Sequence, residues 1–219
     1  MRYIQKLDAP KSFLKKTNSL TNWSEYHNCC KKQKRALKRY ILKYEQNYLC
    51  IYCESKINLE NSHLEHIKPK AKDKYPQLTF TYKNLVVSCN GTCHNLNYDK
   101  DIYSCGHIKD NAYDDSKFLN PVEVKNIREY FKYDIDEGKI ESSSKDIIKF
   151  KYMRDTLHLN EGRLTIARKN SLKSFMKVMK KIKDKSKRKI KMIKILNKED
   201  KAQISFLRFK YKNIVTVQP

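Results

Sequence analysis

Two cysteines, Cys50 and Cys53, stand at the CxxC spacing that allows two thiolates to bind one tetrahedral zinc ion. A second pair of thiolates must then come from Cys89, Cys93 and Cys105, all of which follow within sixty residues. Free cysteines are often simply buried, but a CxxC pair followed by further cysteines beside histidines is more typical of a metal site. The spacing therefore predicts a structural zinc site.

An acid, two histidines and an asparagine accompany these cysteines. Glu65 and His66 are adjacent, Asn84 follows a little under twenty residues later, and His107 comes two residues after Cys105. Cleavage of a phosphodiester needs a base that activates water, a divalent ion that neutralises charge on phosphorus, and a scaffold that holds both. The segment offers one residue type for each task, which points to phosphodiester hydrolysis.

The elements that must position these residues are short strands between helices. Residues 1–22 look like an extended basic lead-in, and apolar residues three and four apart predict one amphipathic helix over 23–48, capped by Ser24. The β-prone runs 78–82 and 85–89 predict strands in the cysteine-rich centre.

Beyond the centre, residues 116–141 predict two strands joined by a turn at 136–138, and helical periodicity returns from Asp146. Residues 173–194 contain eleven lysines and arginines against one acid, Asp184. One apolar stripe is predicted to pack inward in this region: Leu172, Phe175, Met176, Met179 and Ile182.

Composition limits the function classes. The 219 residues contain 48 Lys and Arg against 24 Asp and Glu, a formal net charge of +24, so a polyanionic partner such as nucleic acid is expected. Only 4 glycines and 5 prolines disfavour a turn-rich β-sandwich and favour helices. No apolar run is long enough to span a membrane and the start lacks a signal-peptide core, so we expect a cytoplasmic protein.

The central motifs resemble those of HNH (ββα-metal) endonucleases, and more narrowly the PtuB-like HNH endonucleases of retron and Septu-type anti-phage defence systems. The resemblance spans about three quarters of the chain, beginning at MRYIQK. The segments that carry it are CIYCE from Cys50, EHIKPK from Glu65, NLVVSCNG from Asn84, CGHIKDN from Cys105, FLNPVE from Phe118 and LHLNEGRLTIAR from Leu157.

The resemblance implies one role for each residue of the site. His66 would be the general base that deprotonates the attacking water, which requires its neutral form. Glu65 and His107 would bind the catalytic divalent ion, Mg²⁺ or Mn²⁺, and the amide of Asn84 would hold the loop that presents His66. Structural zinc would be bound by Cys50, Cys53, Cys89 and Cys105.

Two registers are open for the end of the motif. In one, Cys105 and His107 are the functional residues, and Lys109 then falls four residues after the cysteine, where HNH sequences usually place a lysine. In the other, Cys93 and His94 take these places. The position of Lys109 favours the first register.

Other basic and histidine residues have less specific patterns. His63 shares strand alternation with Glu65, so it could reach the metal side or be only partly buried. His27 and His158 lack acidic or cysteine neighbours at ligand spacing and are expected to be structural. The lysine-rich face of the helix predicted over 23–48 is expected to contact a polyanion.

The expected architecture is α+β and mainly α, with a ββα-metal finger and a zinc knuckle embedded among basic helices. Three parts are predicted, and the last packs with the core: an arm and helix over 1–48, the nuclease core over 49–115, and a basic α-rich region over 116–219.

The expected activity is metal-dependent hydrolysis of nucleic acid, with DNA favoured over RNA such as tRNA. The resemblance implies a toxic anti-phage effector that works with a PtuA-like ABC/SMC-type ATPase, and in retrons with a reverse transcriptase and its RNA–DNA hybrid. Two rivals are a non-catalytic zinc module that binds or bridges nucleic acid, and a housekeeping HNH restriction or homing enzyme.

Overall fold

Eight α-helices and two small antiparallel sheets make up the described residues, 1–91 and 103–214, of this computed structural model. The helix-rich α+β class expected from the sequence is confirmed. Among these residues, no helix combines the length and the apolar character needed to cross a bilayer.

The amino-terminal part is more helical than predicted. Residues 1–22 contain helix α1, Lys11–Thr17, so the prediction of a purely extended lead-in is wrong. Helices α2, Trp23–Cys29, and α3, Lys31–Tyr40, follow, and α3 continues into a π-helical turn at Ile41–Glu45.

The single helix predicted over 23–48 is therefore broken, because periodicity does not reveal where the backbone leaves the helical region. Cys30 separates α2 from α3 with φ −129° and ψ 39°. The predicted cap is also wrong by two residues: the Asn22 side chain, not Ser24, accepts the hydrogen bond from the backbone N–H of Glu25.

The centre of the chain forms a hairpin followed by a short helix. Strand β1, Ser62–His66, pairs antiparallel with β2, Leu85–Cys89, so that Ser62 faces Cys89 and His66 faces Leu85. Helix α4, Gly106–Lys109, packs beside this hairpin through the hydrogen bond from the Gly106 N–H to the Ser88 hydroxyl. The order strand, strand, helix is the one expected for a ββα finger.

The connection between β1 and β2 differs from the prediction. The strand expected over 78–82 is absent from the described residues, and two 3₁₀ turns, Pro76–Leu78 and Tyr82–Asn84, border that run. Pro76 occupies the first position of its turn, where a missing N–H costs nothing. Local turn chemistry thus overrides the β propensity of this run.

The second predicted hairpin is confirmed. Strands β3, Phe131–Tyr133, and β4, Ile140–Ser142, pair antiparallel, and Gly138 takes a φ of +70° in the turn between them. A 3₁₀ turn, Ile127–Tyr130, leads into β3. The side chain of Asn160 accepts a hydrogen bond from the Ile140 N–H and holds the end of the hairpin.

Four helices follow: α5, Ile147–Thr156; α6, Gly162–Lys180; α7, Lys185–Asn197; and α8, Ile204–Lys210. Asp146 caps α5, where the sequence places the return of helical periodicity. Of the predicted stripe, Leu172, Phe175 and Met179 are buried, but Met176 is 39% exposed.

The carboxyl-terminal helices support the cysteine-rich centre through buried polar contacts. The Glu54 carboxylate, directly after Cys53, accepts hydrogen bonds from the backbone N–H and the hydroxyl of Ser205 at the start of α8. Arg168 of α6 is fully buried and donates to the carbonyls of Gly138 and Leu159.

Glu199 forms ion pairs with arginines from the amino-terminal and the carboxyl-terminal parts of the chain. Its carboxylate contacts Arg128 and Arg208 at 2.5 Å each and Arg2 at 3.4 Å. Burial alone would raise the pKa of Glu199, but the arginines, Arg128 first, lower it to about 2. The ionised form therefore contributes to folding stability above the unfolded-state pKa of about 4.3, and this contribution is lost as the pH falls towards 2.

We expect Glu199→Gln to lower the melting temperature at pH 7 by several degrees, because three arginines lose their anion. The difference in melting temperature between the wild type and the variant should narrow between pH 6 and pH 3, because the unfolded wild type takes up a proton on Glu199 that the folded state does not. Thermal unfolding followed by circular dichroism measures both. Glu137→Gln, at an exposed side chain, is the control, and a gap of constant size over this pH range would contradict the prediction.

Candidate functional site

Four buried thiols converge from separate segments into what we call the thiol cluster, Cys50, Cys53, Cys89 and Cys105. Their Sγ atoms all lie within 4.8 Å of one another. Cys50 and Cys53 come from the turns after the π-helical segment, Cys89 ends β2, and Cys105 immediately precedes α4. The backbone N–H of Cys89 also donates to Cys50 Sγ at 3.3 Å, as in a knuckle that is prepared for a metal.

The dimensions and electrostatics of the thiol cluster fit zinc. A tetrahedron with Zn–S bonds of about 2.3 Å has sulfur–sulfur edges of roughly 3.8 Å, and Cys53 Sγ lies 3.8 Å from Cys89 Sγ. Hydrogen bonds with the other three thiols lower the pKa of Cys53, whereas burial first, and then hydrogen bonds with Cys50, Cys53 and Cys89, raise the pKa of Cys105. A cation is needed to hold all four as thiolates.

Cys105 therefore lies with the other three cysteines, as in the favoured register. Its φ of +65° is in the left-handed region, which is uncommon for a residue with a side chain. The alternative pair, Cys93 and His94, lies outside the described residues.

A second group, the carboxylate–imidazole cluster, consists of His63, Glu65 and His107. His63 Nε2 lies 3.4 Å from Glu65 Oε2, and the rings of His63 and His107 are 4.6 Å apart. A Cβ atom at Gly106 would come within 2.8 Å of both Glu65 Oε2 and His63 Nε2, so the glycine leaves space beside these two ligand atoms. One carboxylate oxygen and two imidazoles form a donor set that suits a divalent ion.

Glu65 is buried but charged. Its other oxygen, Oε1, accepts from Lys109 Nζ at 3.0 Å and from the Tyr52 hydroxyl at 3.3 Å. Burial alone would raise the pKa of Glu65, but Lys109 and His63 keep it below its ordinary value. Burial, together with His63, also lowers the pKa of His107, which leaves that imidazole neutral and able to act as a ligand.

His66 lies on the opposite face of β1 from Glu65. Its Nε2 is 3.0 Å from the carbonyl oxygen of Thr79, and since a carbonyl only accepts, Nε2 carries the proton and Nδ1 keeps a lone pair. The ring packs edge-on against Trp23, with centroids 4.5 Å apart. Burial lowers the pKa of His66 to about 4, so the imidazole is neutral at physiological pH and able to accept a proton.

Asn84 holds the loop after His66 by hydrogen bonds in both directions. Its Oδ1 accepts from the Lys68 N–H at 2.8 Å, and its Nδ2 donates to the Lys68 carbonyl at 2.9 Å. A weaker bond reaches the Leu78 carbonyl, next to Thr79. The asparagine thus connects the segment after His66 to the segment that orients the imidazole.

The structure adds positioning residues that the sequence reasoning did not assign. Lys109 is almost fully buried and contacts both the Glu65 carboxylate and, at 3.3 Å, the His66 carbonyl. Tyr52 connects the CxxC turn to Glu65. Only Lys109 carried a signal in the sequence, its distance from Cys105, whereas Tyr52 and the Thr79 carbonyl carried none.

Part of the chain is similar to a curated protein. The chain is 30% identical over 140 residues to a Vibrio cholerae (serotype O1 biovar El Tor) protein named "Retron Vc95 putative HNH endonuclease". The match covers 62% of this chain and spans 63% of the length of that curated relative. No model of a known protein family matches the chain.

We expect the purified protein to contain about one equivalent of zinc, and Cys50→Ser to lower both the zinc content and the melting temperature, because the metal stabilises the fold around it. Elemental analysis and thermal unfolding measure the two effects. Cys29→Ser lies outside the thiol cluster and removes only the disulfide that Cys29 forms with Cys30, so it should leave the zinc content unchanged. Unchanged zinc content in Cys50→Ser would show that Cys50 is not a ligand.

Proposed function

We propose that this chain is a metal-dependent HNH-type endonuclease that hydrolyses phosphodiester bonds of nucleic acid. One observation carries the proposal: a neutral, oriented imidazole at His66 lies on one face of β1, with the carboxylate–imidazole cluster reached from the other face. A base and a divalent-ion site held on one short strand are the two parts that this hydrolysis requires.

The proposed reaction uses His66 as the general base. The Nδ1 lone pair takes a proton from water, the water oxygen attacks phosphorus, and the bond from phosphorus to the leaving oxygen breaks. The leaving oxygen then takes up a proton. The Thr79 carbonyl stabilises the imidazolium that forms, because it accepts a hydrogen bond from Nε2.

A divalent ion, Mg²⁺ or Mn²⁺, bound by Glu65, His107 and His63 would neutralise developing charge on the phosphate. Lys109 fixes the Glu65 carboxylate by contacting Oε1, while Oε2 faces His63. The structural zinc of the thiol cluster would hold α4 against the hairpin and take no part in the chemistry.

The net charge of +24 supports a nucleic-acid substrate. We propose DNA as the favoured substrate, with RNA such as tRNA as the alternative. Among the described residues, none forms a helix-turn-helix or a zinc-finger recognition helix, so little base readout is expected.

The retron name of the relative supports a role in anti-phage defence. We propose that the chain acts in the cytoplasm as the toxic effector of such a system, with a PtuA-like ABC/SMC-type ATPase, and in a retron with a reverse transcriptase and its RNA–DNA hybrid. The chain has no GxxxxGK[ST] segment, so an ATPase activity has to come from a partner.

The decisive experiment compares the wild type with His66→Ala on labelled plasmid, single-stranded DNA and total tRNA, with Mg²⁺, Mn²⁺ or EDTA, and with the candidate partner supplied. We expect metal-dependent cutting by the wild type and a loss of at least about 100-fold in the variant, because a general base contributes roughly that much. The pool that is degraded identifies the substrate.

His158→Ala is the matched control, since this histidine lies outside both clusters and should leave cutting intact. Thermal unfolding must show that His66→Ala remains folded. Tight, salt-sensitive binding without cutting of any pool would instead favour the non-catalytic zinc module.

His63 provides a separate test of the metal site. We expect His63→Ala to weaken Mn²⁺ binding by about tenfold or more, with structural zinc retained, because one of three ligands is lost. Electron paramagnetic resonance of free Mn²⁺ measures the affinity directly. Equal affinities in the wild type and the variant would restrict the ligand set to Glu65 and His107.

A further inference from the structure

A groove of about 450 Å³ separates helix α3 from strand β1, and we call it the α3–β1 groove. Its helix side is lined by four cations of α3 on successive turns, Lys31, Lys34, Arg35 and Lys38. These side chains form the basic face of α3. It differs from other basic surfaces of the chain because it lies opposite strand β1.

The strand side of the groove leads to the candidate active site. Ser62, His63 and Leu64 of β1 line it, and His63 also belongs to the carboxylate–imidazole cluster. No acidic side chain lines the groove in the described part of the chain. A molecule that lies in the groove therefore contacts cations on one side and reaches a candidate metal ligand on the other.

The cations of the groove are incompletely neutralised. Lys34 Nζ contacts an imidazole, His27 Nδ1, at 2.5 Å, and Lys38 Nζ donates to the carbonyls of Leu59 and Ser62. Burial lowers the pKa of Lys34, and the nearby Lys70 lowers it further. Positive charges this close together are relieved when an anion enters between them.

One acidic residue contacts the four cations of the α3–β1 groove. Arg35 pairs with Glu60 at 2.8 Å, but more than half of each side chain is exposed. Exposed pairs of this kind contribute little and exchange readily with a phosphate. The excess of positive charge in the groove thus favours the binding of a polyanion.

We propose that the α3–β1 groove binds the phosphodiester backbone of the substrate strand next to the bond that is cut. This inference rests on the proposed nuclease function and deepens it. Lys31 and Lys38 are seven residues apart, about 10 Å along a helix axis. That is the rise of roughly three nucleotides in one strand of a duplex, so the groove covers the phosphates on one side of the cut.

Helix α7 is the natural comparison, because it has as many lysines and arginines in total as α3, six, but a different location. It packs against α6 and α8, and Lys187, Lys189 and Lys191 are exposed on it. Between residues 169 and 201, no lysine or arginine forms an ion pair with an acid in the described structure. Equal charge can therefore be removed from the groove and from α7.

The test compares two triple variants, Lys31→Gln/Lys34→Gln/Arg35→Gln in the groove and Lys187→Gln/Lys189→Gln/Lys191→Gln on α7. Fluorescence anisotropy of labelled single-stranded and duplex oligonucleotides in EDTA, over a series of KCl concentrations, measures affinity without cutting. We expect the groove variant to bind at least about tenfold more weakly near 0.1 M salt, with a salt slope reduced by about 2 to 3. The α7 variant should lose no more than about threefold.

Equal losses in the two triple variants would overturn the proposal, since only total charge would then matter. Thermal unfolding must show that both variants are folded, which is expected because the substituted side chains are partly or fully exposed. The oligonucleotide whose binding depends on the groove shows whether a single strand or a duplex lies there.

Glu60→Gln gives a test of opposite sign. Removing this acid frees Arg35, so nucleic-acid binding should become severalfold tighter, and unchanged or weaker binding would contradict the proposal.

Cutting assays with Mg²⁺ separate the groove proposal from the proposed nuclease function. Wild-type cutting with equal losses in both triple variants overturns the groove but not the nuclease, whereas groove-dependent binding without any cutting supports the groove and removes the proposed function.

Discussion

The convergence of four buried thiols is the constraint on which the rest of this structure depends. Cys50 and Cys53 lie in a turn, Cys89 ends β2 and Cys105 precedes α4, so the thiol cluster joins three segments of the chain. The contact between Glu54, next to Cys53, and Ser205 of α8 extends this connection to the carboxyl-terminal helices. A metal bound here would stabilise both the finger and the helices behind it.

Glu65 and His66 lie on opposite faces of β1 and keep different charge states, an ionised carboxylate and a neutral imidazole. On one face, Glu65 stays ionised although buried, because Lys109 and His63 offset the cost of desolvation. On the other, His66 stays neutral because burial lowers its pKa by more than the Thr79 carbonyl and the Glu65 carboxylate raise it. Strand alternation keeps an ionised carboxylate and a neutral imidazole on two consecutive residues, and the proposed hydrolysis would use both.

The parts of the fold and of the site that could be predicted from the sequence are those that local sequence patterns determine. The strand over 85–89, the hairpin around Gly138 and the helix that begins after Asp146 follow from β-prone residues, turn residues and helical periodicity, and all three are confirmed. The helix over 23–48 was wrong, because one non-helical residue, Cys30, interrupts an amphipathic pattern without changing its period. The strand over 78–82 was wrong, because turn geometry outweighs β propensity in a short segment.

By itself, the sequence determined which residue types are available and in what order: the CxxC pair, Glu65 beside His66, Asn84, and the Cys105–His107 end with Lys109. Only the tertiary structure decided that His63 joins Glu65 and His107, that Lys109 clamps the carboxylate, and that α3 lies along β1 to form a basic groove. The physical reason is distance along the chain. Strand alternation and ligand spacing are local, whereas contacts between residues more than about twenty apart depend on how the hairpin and helices pack.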